Sequence, residues 1–279
     1  MSFDTTLFGK NASLFKKTTT KGPHALGTRW VLPDGRVFRY AKSSAAIAIG
    51  RVCGAIAHIA TWDSDVVLAE ARTTAQWDAG DHTIRIKSTG STNTTLNLAA
   101  NQYAGGYIWV NHEAGQGQLL QIESHGGDGS VTGSTGGIDI ICCDEDILGV
   151  ALTAASQVGL FRNIYDGVVT HVGAVGAGLA VGVAPLAVSS GEYFWIQTWG
   201  PCPVLVGTTL ALLGEGVGVL NTTGGSTEFT EVAGTAYQLS STFNFEKPGA
   251  SISAPKVGYT LQLATAATEQ SLVFLTIAP

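Results

Sequence analysis

The stretch TRWVLPDGRVFRY, residues 28–40, constrains the fold most, because it predicts two strands joined by one tight turn. Pro33 presets the backbone angle of a turn, Asp34 can hydrogen-bond to its own backbone, and Gly35 accepts the left-handed conformation that closes such a turn. With the loop at residues 33–35, the hairpin predicts cross-strand pairs of Leu32 with Arg36, Val31 with Val37, Trp30 with Phe38, and Arg29 with Arg39.

The two faces of this hairpin differ in what they require from the rest of the molecule. One face carries large apolar side chains that can anchor a core: Trp30, Leu32, Phe38 and Tyr40. The other face places Val31 and Val37 between Arg29 and Arg39, which lie opposite each other, and like charges in that position repel. This second face therefore needs an acidic or apolar neighbour, and we expect another chain to supply it.

The composition indicates a β-rich subunit of a larger assembly. Only 13% of the residues are charged, about half of the roughly 25% that is typical of soluble domains, so much of the surface is expected to lie against other molecules. The 36 glycines and 8 prolines favour strands and turns.

The net charge of −6 argues against a nucleic-acid partner. The apolar run 172–188 contains several glycines and Pro185, which argues against a membrane-spanning helix.

Residues 1–27 are predicted to form an extended arm that precedes a β-rich body at residues 28–279. The segment is polar with spaced apolar anchors, shows no sustained helical period, and holds four lysines against one acidic residue. A small basic arm on an acidic body is either a solvated tail or a segment that lies on an acidic neighbour.

The body is predicted to be mainly β, an antiparallel β-barrel or sandwich built from hairpins, with at most one or two short helices. Residues 107–110 and 119–122 predict a second hairpin, and the strongest strand, within residues 191–206, is expected to turn at Gly200 and Pro201.

Two features of the body stay open at this level. The alanine-rich stretch 43–62 is compatible with a helix or a strand, since Gly50 and Gly54 weaken its helical tendency. The body is either one domain or two subdomains that meet near residues 126–160.

No arrangement of side chains predicts catalysis, a metal or a cofactor. The sequence CCDED at 142–146 is the densest group of possible metal ligands, but five consecutive residues cannot all face one ion from a strand. The stretch NHEAG at 111–115 offers acid–base groups without a nucleophile motif. The four cysteines follow no disulfide or zinc spacing, and no secretory leader opens the chain. We therefore expect a non-enzymatic protein of cytosolic origin.

Five blocks of the sequence, taken in order, resemble a family of tailed-bacteriophage virion proteins over residues 28–279: VLPDGRVFRYAK, NQYAGGYIWVN, GQGQLLQIESH, GEYFWIQTWGPCPVLV and VFLTI. The resemblance implies a structural virion component of the capsid decoration (cement) type, which is β-rich and commonly homotrimeric. Its expected partners are further copies of itself and the major capsid protein, and its expected location is the outer capsid surface after synthesis in the host bacterial cytoplasm.

Two sets of residues are expected to make these contacts. The capsid-binding set belongs to the arm and combines aromatic and basic side chains: Phe3, Phe8, Lys10, Phe15, Lys16 and Lys17. The oligomer interface is expected to use the second face of the hairpin and the strong strand: Arg29, Val31, Val37, Arg39, Tyr193 and Trp195.

Two other functions fit the same sequence. A tail, collar or fibre-base subunit would share the composition, although the absence of long repeats argues against a fibre shaft. A glycan-binding or glycan-cleaving virion protein would need an exposed aromatic platform and, for cleavage, a carboxylate pair in a groove. The tryptophans that could form such a platform, or could instead pack in a core, are Trp62, Trp77, Trp109, Trp195 and Trp199.

Overall fold

Strands make up almost all of the regular structure in the computed structural model. The structure describes residues 6–9, 12–57, 65–68, 77–87, 98–127, 137–171, 178–207, 213–219, 236–239, 256–263 and 269–279. Within these ranges the helical structure is limited to a 3-10 turn at Ala12–Phe15, and none of it could cross a membrane as an apolar helix. The mainly β class predicted from the sequence is confirmed.

The strands are numbered in chain order. The first half of the chain contains β1 Thr6–Phe8, β2 Arg29–Val31, β3 Val37–Ser43, β4 Val52–Gly54, β5 Val66–Val67, β6 Thr83–Lys87, β7 Tyr107–His112, β8 Leu119–His125 and β9 Gly137–Cys142. The second half contains β10 Gln157–Phe161, β11 Asp166–Thr170, β12 Ala180–Val183, β13 Tyr193–Leu205, β14 Gly216–Val219, β15 Ala236–Leu239, β16 Lys256–Thr260 and β17 Gln270–Thr276.

The chain divides into two compact units, and the second is an insertion in the first. Unit 1 comprises Met1–Ala57 and Ile164–Pro279, and unit 2 comprises His58–Asn163. The sequence suggested a single boundary near residues 126–160, if the body divided at all. The structure instead divides the chain at two points, one before His58 and one after Asn163.

Five strands of unit 1 close into a ring. β3 pairs with β11, β11 with β4, β4 with β12, β12 with β13, and β13 pairs back with β3. All of these pairs are antiparallel except β3 with β11, which is parallel. Buried side chains from these strands form one core, in which Ala41, Val168, Phe194 and Ile196 are fully enclosed. The ring is a small β-barrel whose strands pair on both sides.

The sheet of unit 1 continues beyond the ring because β13 is 13 residues long. The second half of β13 pairs with β17, which is followed in order by β16, β14 and β15. Valines such as Val204, Val217 and Val273 form a separate core here. The predicted turn at Gly200 and Pro201 is wrong, since both residues lie inside β13. The strand bends without ending, because Gly200 adopts the left-handed φ of 85° and the register shifts between Gln197 and Trp199.

The described part of the alanine-rich stretch, residues 43–57, contains no helix. Ser43 ends β3, Ile47 bridges Val188, and β4 follows at Val52–Gly54, with bends and a turn between them. Residues 58–62 of this stretch lie outside the described residues.

Unit 2 is a second barrel of antiparallel strands. β5, β10, β7, β8, β9 and β6 pair in that order, and a bridge between Leu68 and Ile86 joins the first strand to the last. Alternation places Ile84 and Ile86 of β6 in the core at 0% exposure. On the outside, Arg85 contacts both carboxylate oxygens of its cross-strand neighbour Asp139 at 3.0 Å.

A buried histidine of unit 2 is held in its neutral form by two hydrogen bonds. His125 accepts the backbone N–H of Tyr103 at Nε2 (2.9 Å), and its Nδ1 lies 2.7 Å from the carbonyl oxygen of Gly126. A ring that accepts at Nε2 carries its proton at Nδ1, where it donates to Gly126. Burial lowers the pKa of His125, because the imidazolium would lose its hydration.

We expect this histidine to make the protein less stable as the pH falls below about 6.5, the ordinary histidine pKa. The unfolded chain takes up a proton at that pH, whereas folded His125 takes it up only at lower pH, so acid favours unfolding. Well above pH 6.5 His125 is neutral in both the folded and the unfolded chain, so it does not contribute to the pH dependence of stability. A loss of about 1 kcal/mol would lower Tm by roughly 2–4 °C in a protein of this size.

The measurement is thermal unfolding of the wild type and of His125→Gln from neutral to mildly acidic pH. Glutamine retains an acceptor but does not titrate, so Tm of the variant should decline less steeply with acid. His82→Gln is the matched control, because His82 is a histidine of the same unit whose side chain is exposed, so its replacement leaves the hydrogen bonds of His125 in place. An equal slope for His125→Gln and wild type would contradict the assignment.

Candidate functional site

The hairpin that opens the body has the predicted register. Arg29 pairs with Arg39, Trp30 with Phe38, and Val31 with Val37. In the turn Gly35 adopts a φ of 85°, and Asp34 accepts hydrogen bonds from the backbone N–H and the guanidinium of Arg36. The side-chain hydrogen bond from Arg36 holds the pKa of Asp34 below its ordinary value.

One face of the hairpin forms a dense aromatic cluster, made of His24, Trp30, Tyr40, Tyr193 and Trp195. The Trp30 and Trp195 rings meet edge to face with centroids 5.0 Å apart, and Tyr40 stacks on Tyr193 at 5.9 Å. Trp30, Phe38 and Trp195 are at most 6% exposed. The expectation that this face anchors a core is therefore confirmed.

The N-terminal arm covers this aromatic cluster in its own chain. β1 pairs in parallel with β2, and the side chains of Leu7 and Leu14 pack against the cluster. The indole Nε1 of Trp30 donates to the carbonyl oxygen of Gly9 at 3.0 Å. The backbone N–H of Gly22 donates to the Tyr40 hydroxyl at 3.0 Å.

The arm is also fixed by an ion pair at the start of the strong strand. Lys17 Nζ lies 2.9 Å from a carboxylate oxygen of Glu192, and Thr18 bridges Tyr193. The backbone N–H of Ser189, followed by Lys17, holds the pKa of Glu192 below its ordinary value. The positive charge of Lys17 is therefore paired within the chain rather than free for a capsid.

The predicted capsid-binding residues fall into three groups. Phe8 and Phe15 point outward, with exposures of 77% and 56%, and Lys16 is exposed. Lys17 is paired with Glu192. Phe3 and Lys10 lie outside the described residues.

The second face of the hairpin is covered in part by the chain itself. Val37 is 3% exposed and Ala41 is fully buried, and Ala41 packs against Phe194 in the core of the ring. The guanidinium of Arg39 donates to the carbonyl oxygen of Gly27 at 3.1 Å. Arg29, Val31 and Arg39 are only half-buried, so the expectation that another chain covers the rest of this face stays a prediction.

Two of the predicted oligomer-interface residues lie in the core of the chain. Val37 and Trp195 are each 3% exposed, so their side chains are occupied by core packing and are not accessible to a second chain. The other predicted interface residues are half-buried and keep part of their surface in solvent: Arg29, Val31, Arg39 and Tyr193.

Three cysteines of the described residues are buried and unreactive, and no metal-binding group is found there. Burial raises the pKa of the Cys53, Cys142 and Cys202 thiols to about 12, so they are protonated and poorly nucleophilic at neutral pH. In the described ranges no group of three or more His, Cys, Asp or Glu side chains could hold a metal ion.

The structure exposes one surface feature that the sequence did not single out. Tyr107 and Trp109 lie on the outside of unit 2 with exposures of 40% and 44%, while Ile108 and Val110 between them are buried. The alternation in YIWV was visible in the sequence. Both faces of this strand are apolar, however, so the pattern could not show which face lies in the core.

Comparisons with known proteins identify no relative of this chain. No protein-family model, no curated protein and no solved structure matches it. Its function must be inferred from exposure, charge and contacts in the described residues, together with the resemblance in sequence blocks noted above.

Proposed function

We propose that the protein is a non-enzymatic structural component of a tailed-phage virion, which decorates the outer capsid surface as an oligomer and stabilises the shell. In this proposal it is made in the host bacterial cytoplasm and then binds the major capsid protein. The homotrimer implied by the resemblance is the proposed oligomer.

The observation that carries the proposal is the arrangement of neighbouring residues in the arm. Leu7 and Leu14 point inward and fix the arm, while the adjacent Phe8 and Phe15 point outward. Burying an exposed phenylalanine contributes about 1.5–3 kcal/mol. The residues described here are already held by hydrogen bonds and an ion pair, so little conformational entropy would be lost when they bind.

The low charge content supports the same proposal. A chain with 13% charged residues has few of the groups that keep a surface hydrated and non-adhesive. An oligomer that places several arms on one shell would multiply the affinity of each contact. Weak individual sites could therefore give stable occupancy without any chemical step.

The proposal predicts that Phe8→Ser combined with Phe15→Ser reduces capsid occupancy at least tenfold. Since both side chains are exposed, their replacement should leave Tm almost unchanged. The measurement is co-sedimentation of purified protein with capsids that lack it. Leu213→Ser, at a 63% exposed position of unit 1 outside the arm, is the control and should bind as wild type.

Wild-type occupancy of the double variant would contradict the role of the arm. Light scattering of the purified protein tests the oligomer separately, and a monomer at all concentrations would contradict that part. The second candidate is a tail, collar or fibre-base subunit, and immunogold labelling of intact virions distinguishes it, because label on the tail would replace the capsid assignment.

A further inference from the structure

Unit 2 carries an exposed apolar surface on the outer side of three adjacent strands. We call Tyr107, Trp109, Leu119 and Phe161 the aromatic wall. Tyr107 pairs with Phe161 across β7 and β10, and Trp109 pairs with Leu119 across β7 and β8. Their exposures lie between 40% and 61%, so they form one continuous patch in which two aromatic rings sit on the central strand.

A glycine leaves space beside the tryptophan. On β10 the residue opposite Trp109 is Gly159, which has no side chain to stand beside the indole. The indole can therefore lie across the β10 backbone, and Gly159 is buried although it is on the outer side of the strand. The indole of Trp109, 44% exposed, is therefore not covered by a side chain from the residue opposite it on β10.

A polar pair lies beside the aromatic wall. Asn111 is the residue of β7 at which the register with β10 shifts, and its amide Nδ2 donates at 2.9 Å to the carboxylate of Asp65, which directly precedes β5. Asp65 has a φ of 60°, which is uncommon for a residue other than glycine. Backbone strain of this kind is concentrated at ligand-binding positions.

The three strands under this surface carry little charge, and Arg162 follows Phe161 directly after β10. Strands β7, β8 and β10 contain neither lysine nor arginine, and their carboxylate is the exposed Glu123. Asp65 adds a second negative charge beside the aromatic wall. A sulfated or sialylated ligand would therefore find no basic side chain on these strands to pair with its negative charge. A neutral ligand needs no such partner.

We propose that the aromatic wall binds a neutral oligosaccharide. Pyranose rings have apolar C–H faces that stack on aromatic rings, and hydroxyl edges that hydrogen-bond to amides and carboxylates. Side chains two residues apart on a strand are about 7 Å from each other, so Tyr107 and Trp109 can contact successive parts of one chain while the exposed carboxylate of Asp65, which Asn111 holds in place, accepts hydrogen bonds from its hydroxyls. Apolar surface with a few placed polar groups is typical of ligand sites.

A protein partner fits these observations less well. Aromatic rings beside an exposed carboxylate that an amide holds in place match the C–H faces and hydroxyl edges of a sugar. On β8 the residue that pairs with Tyr107 is Gln121, so an amide side chain flanks the aromatic rings of β7. The glycan site is independent of where the protein is located, so it would hold for a capsid or a tail subunit alike.

The test begins with an array that holds neutral oligosaccharides, including cello-, malto- and chito-oligomers, and their sulfated and sialylated counterparts. The strongest neutral probe is then titrated by calorimetry against Trp109→Ala, Tyr107→Ala and Tyr259→Ala. We expect the first two variants to bind at least tenfold more weakly. Tyr259→Ala should bind as wild type, because Tyr259 is equally exposed at 42% but belongs to unit 1.

Trp109→Phe keeps an aromatic face and should retain most of the affinity, which separates stacking from a folding defect in Trp109→Ala. Binding of none of the neutral probes would overturn the proposal, as would unchanged binding by Trp109→Ala or binding of anionic probes alone. A change in oligomeric state in Trp109→Ala, with no glycan bound by the wild type, would show that the aromatic wall contacts protein instead.

Discussion

A variant that lacks residues 1–27 is expected to lose most of the stability of unit 1. Removal of these residues would uncover the aromatic cluster around Trp30, Tyr40 and Trp195, and would delete the packing of Leu7 and Leu14 on it. It would also remove the hydrogen bonds to Trp30 Nε1 and the Tyr40 hydroxyl. Whole domains are stable by only about 5–15 kcal/mol. The loss of this packing and of these hydrogen bonds together should therefore leave the variant aggregated or unfolded near room temperature.

Point variants make the same prediction quantitative. Leu14 is 1% exposed, so Leu14→Ala should cost about 2–5 kcal/mol, which corresponds to a fall in Tm of roughly 10 °C. Its neighbour Phe15 is 56% exposed, and Phe15→Ala is the matched control with a change within about 0.5 kcal/mol. Thermal unfolding followed by tryptophan fluorescence measures both. Equal Tm values for the two variants would mean that the arm does not stabilise the cluster.

The expected instability of the truncated variant makes truncation a poor test of capsid binding by the arm. Truncation would remove binding whether or not the arm contacts a shell, because the body itself would be destabilised. The outward residues Phe8 and Phe15 separate the two effects, since they are exposed. Arg39→Glu would be an equally poor test of the predicted oligomer interface. The guanidinium of Arg39 donates to the carbonyl oxygen of Gly27, so its replacement would break a contact within the chain.

Local features of the fold could be predicted from the sequence, and the hairpin shows why. The turn chemistry of Pro33, Asp34 and Gly35 fixes the pairing of its neighbours, so the register from Arg29 to Arg39 follows from a few adjacent residues. What covers the hairpin depends on β11 and β13, which lie more than a hundred residues later. No local pattern specifies that pairing, so the sequence could not show that later strands of the same chain bury Ala41 on the second face.

The same limit explains the aromatic wall. In β7 the outward residues Tyr107 and Trp109 are as apolar as the inward Ile108 and Val110, so alternation predicts a strand without showing its core side. The insertion of unit 2 was equally hidden, because it follows from the pairing of β4 with β11, which lie on either side of the inserted segment. In both cases the missing information was a contact between distant segments.

The arrangement of unit 2 makes Gly106→Ala the most damaging small substitution that we expect there. A Cβ atom at this position would lie 2.1 Å from the carbonyl oxygen of Phe161 and 3.0 Å from the backbone nitrogen of Asn163. Both neighbours are main-chain atoms, so no side-chain rotation can relieve the clash. Gly106 also accepts a hydrogen bond from the N–H of Ile122, which ties it to β8.

β7 would have to move away from β10 to accommodate the methyl group, at a cost of about 3 kcal/mol and a fall in Tm of roughly 6–12 °C. Gly126→Ala is the control, because a Cβ there meets nothing within 4 Å and its φ is not left-handed. It should leave Tm within about 2 °C of the wild type. Since Tyr107 and Phe161 flank the clash, Gly106→Ala should also weaken ligand binding on the aromatic wall. A Tm of Gly106→Ala equal to that of Gly126→Ala would show that the junction of β7 and β10 is looser than these distances require.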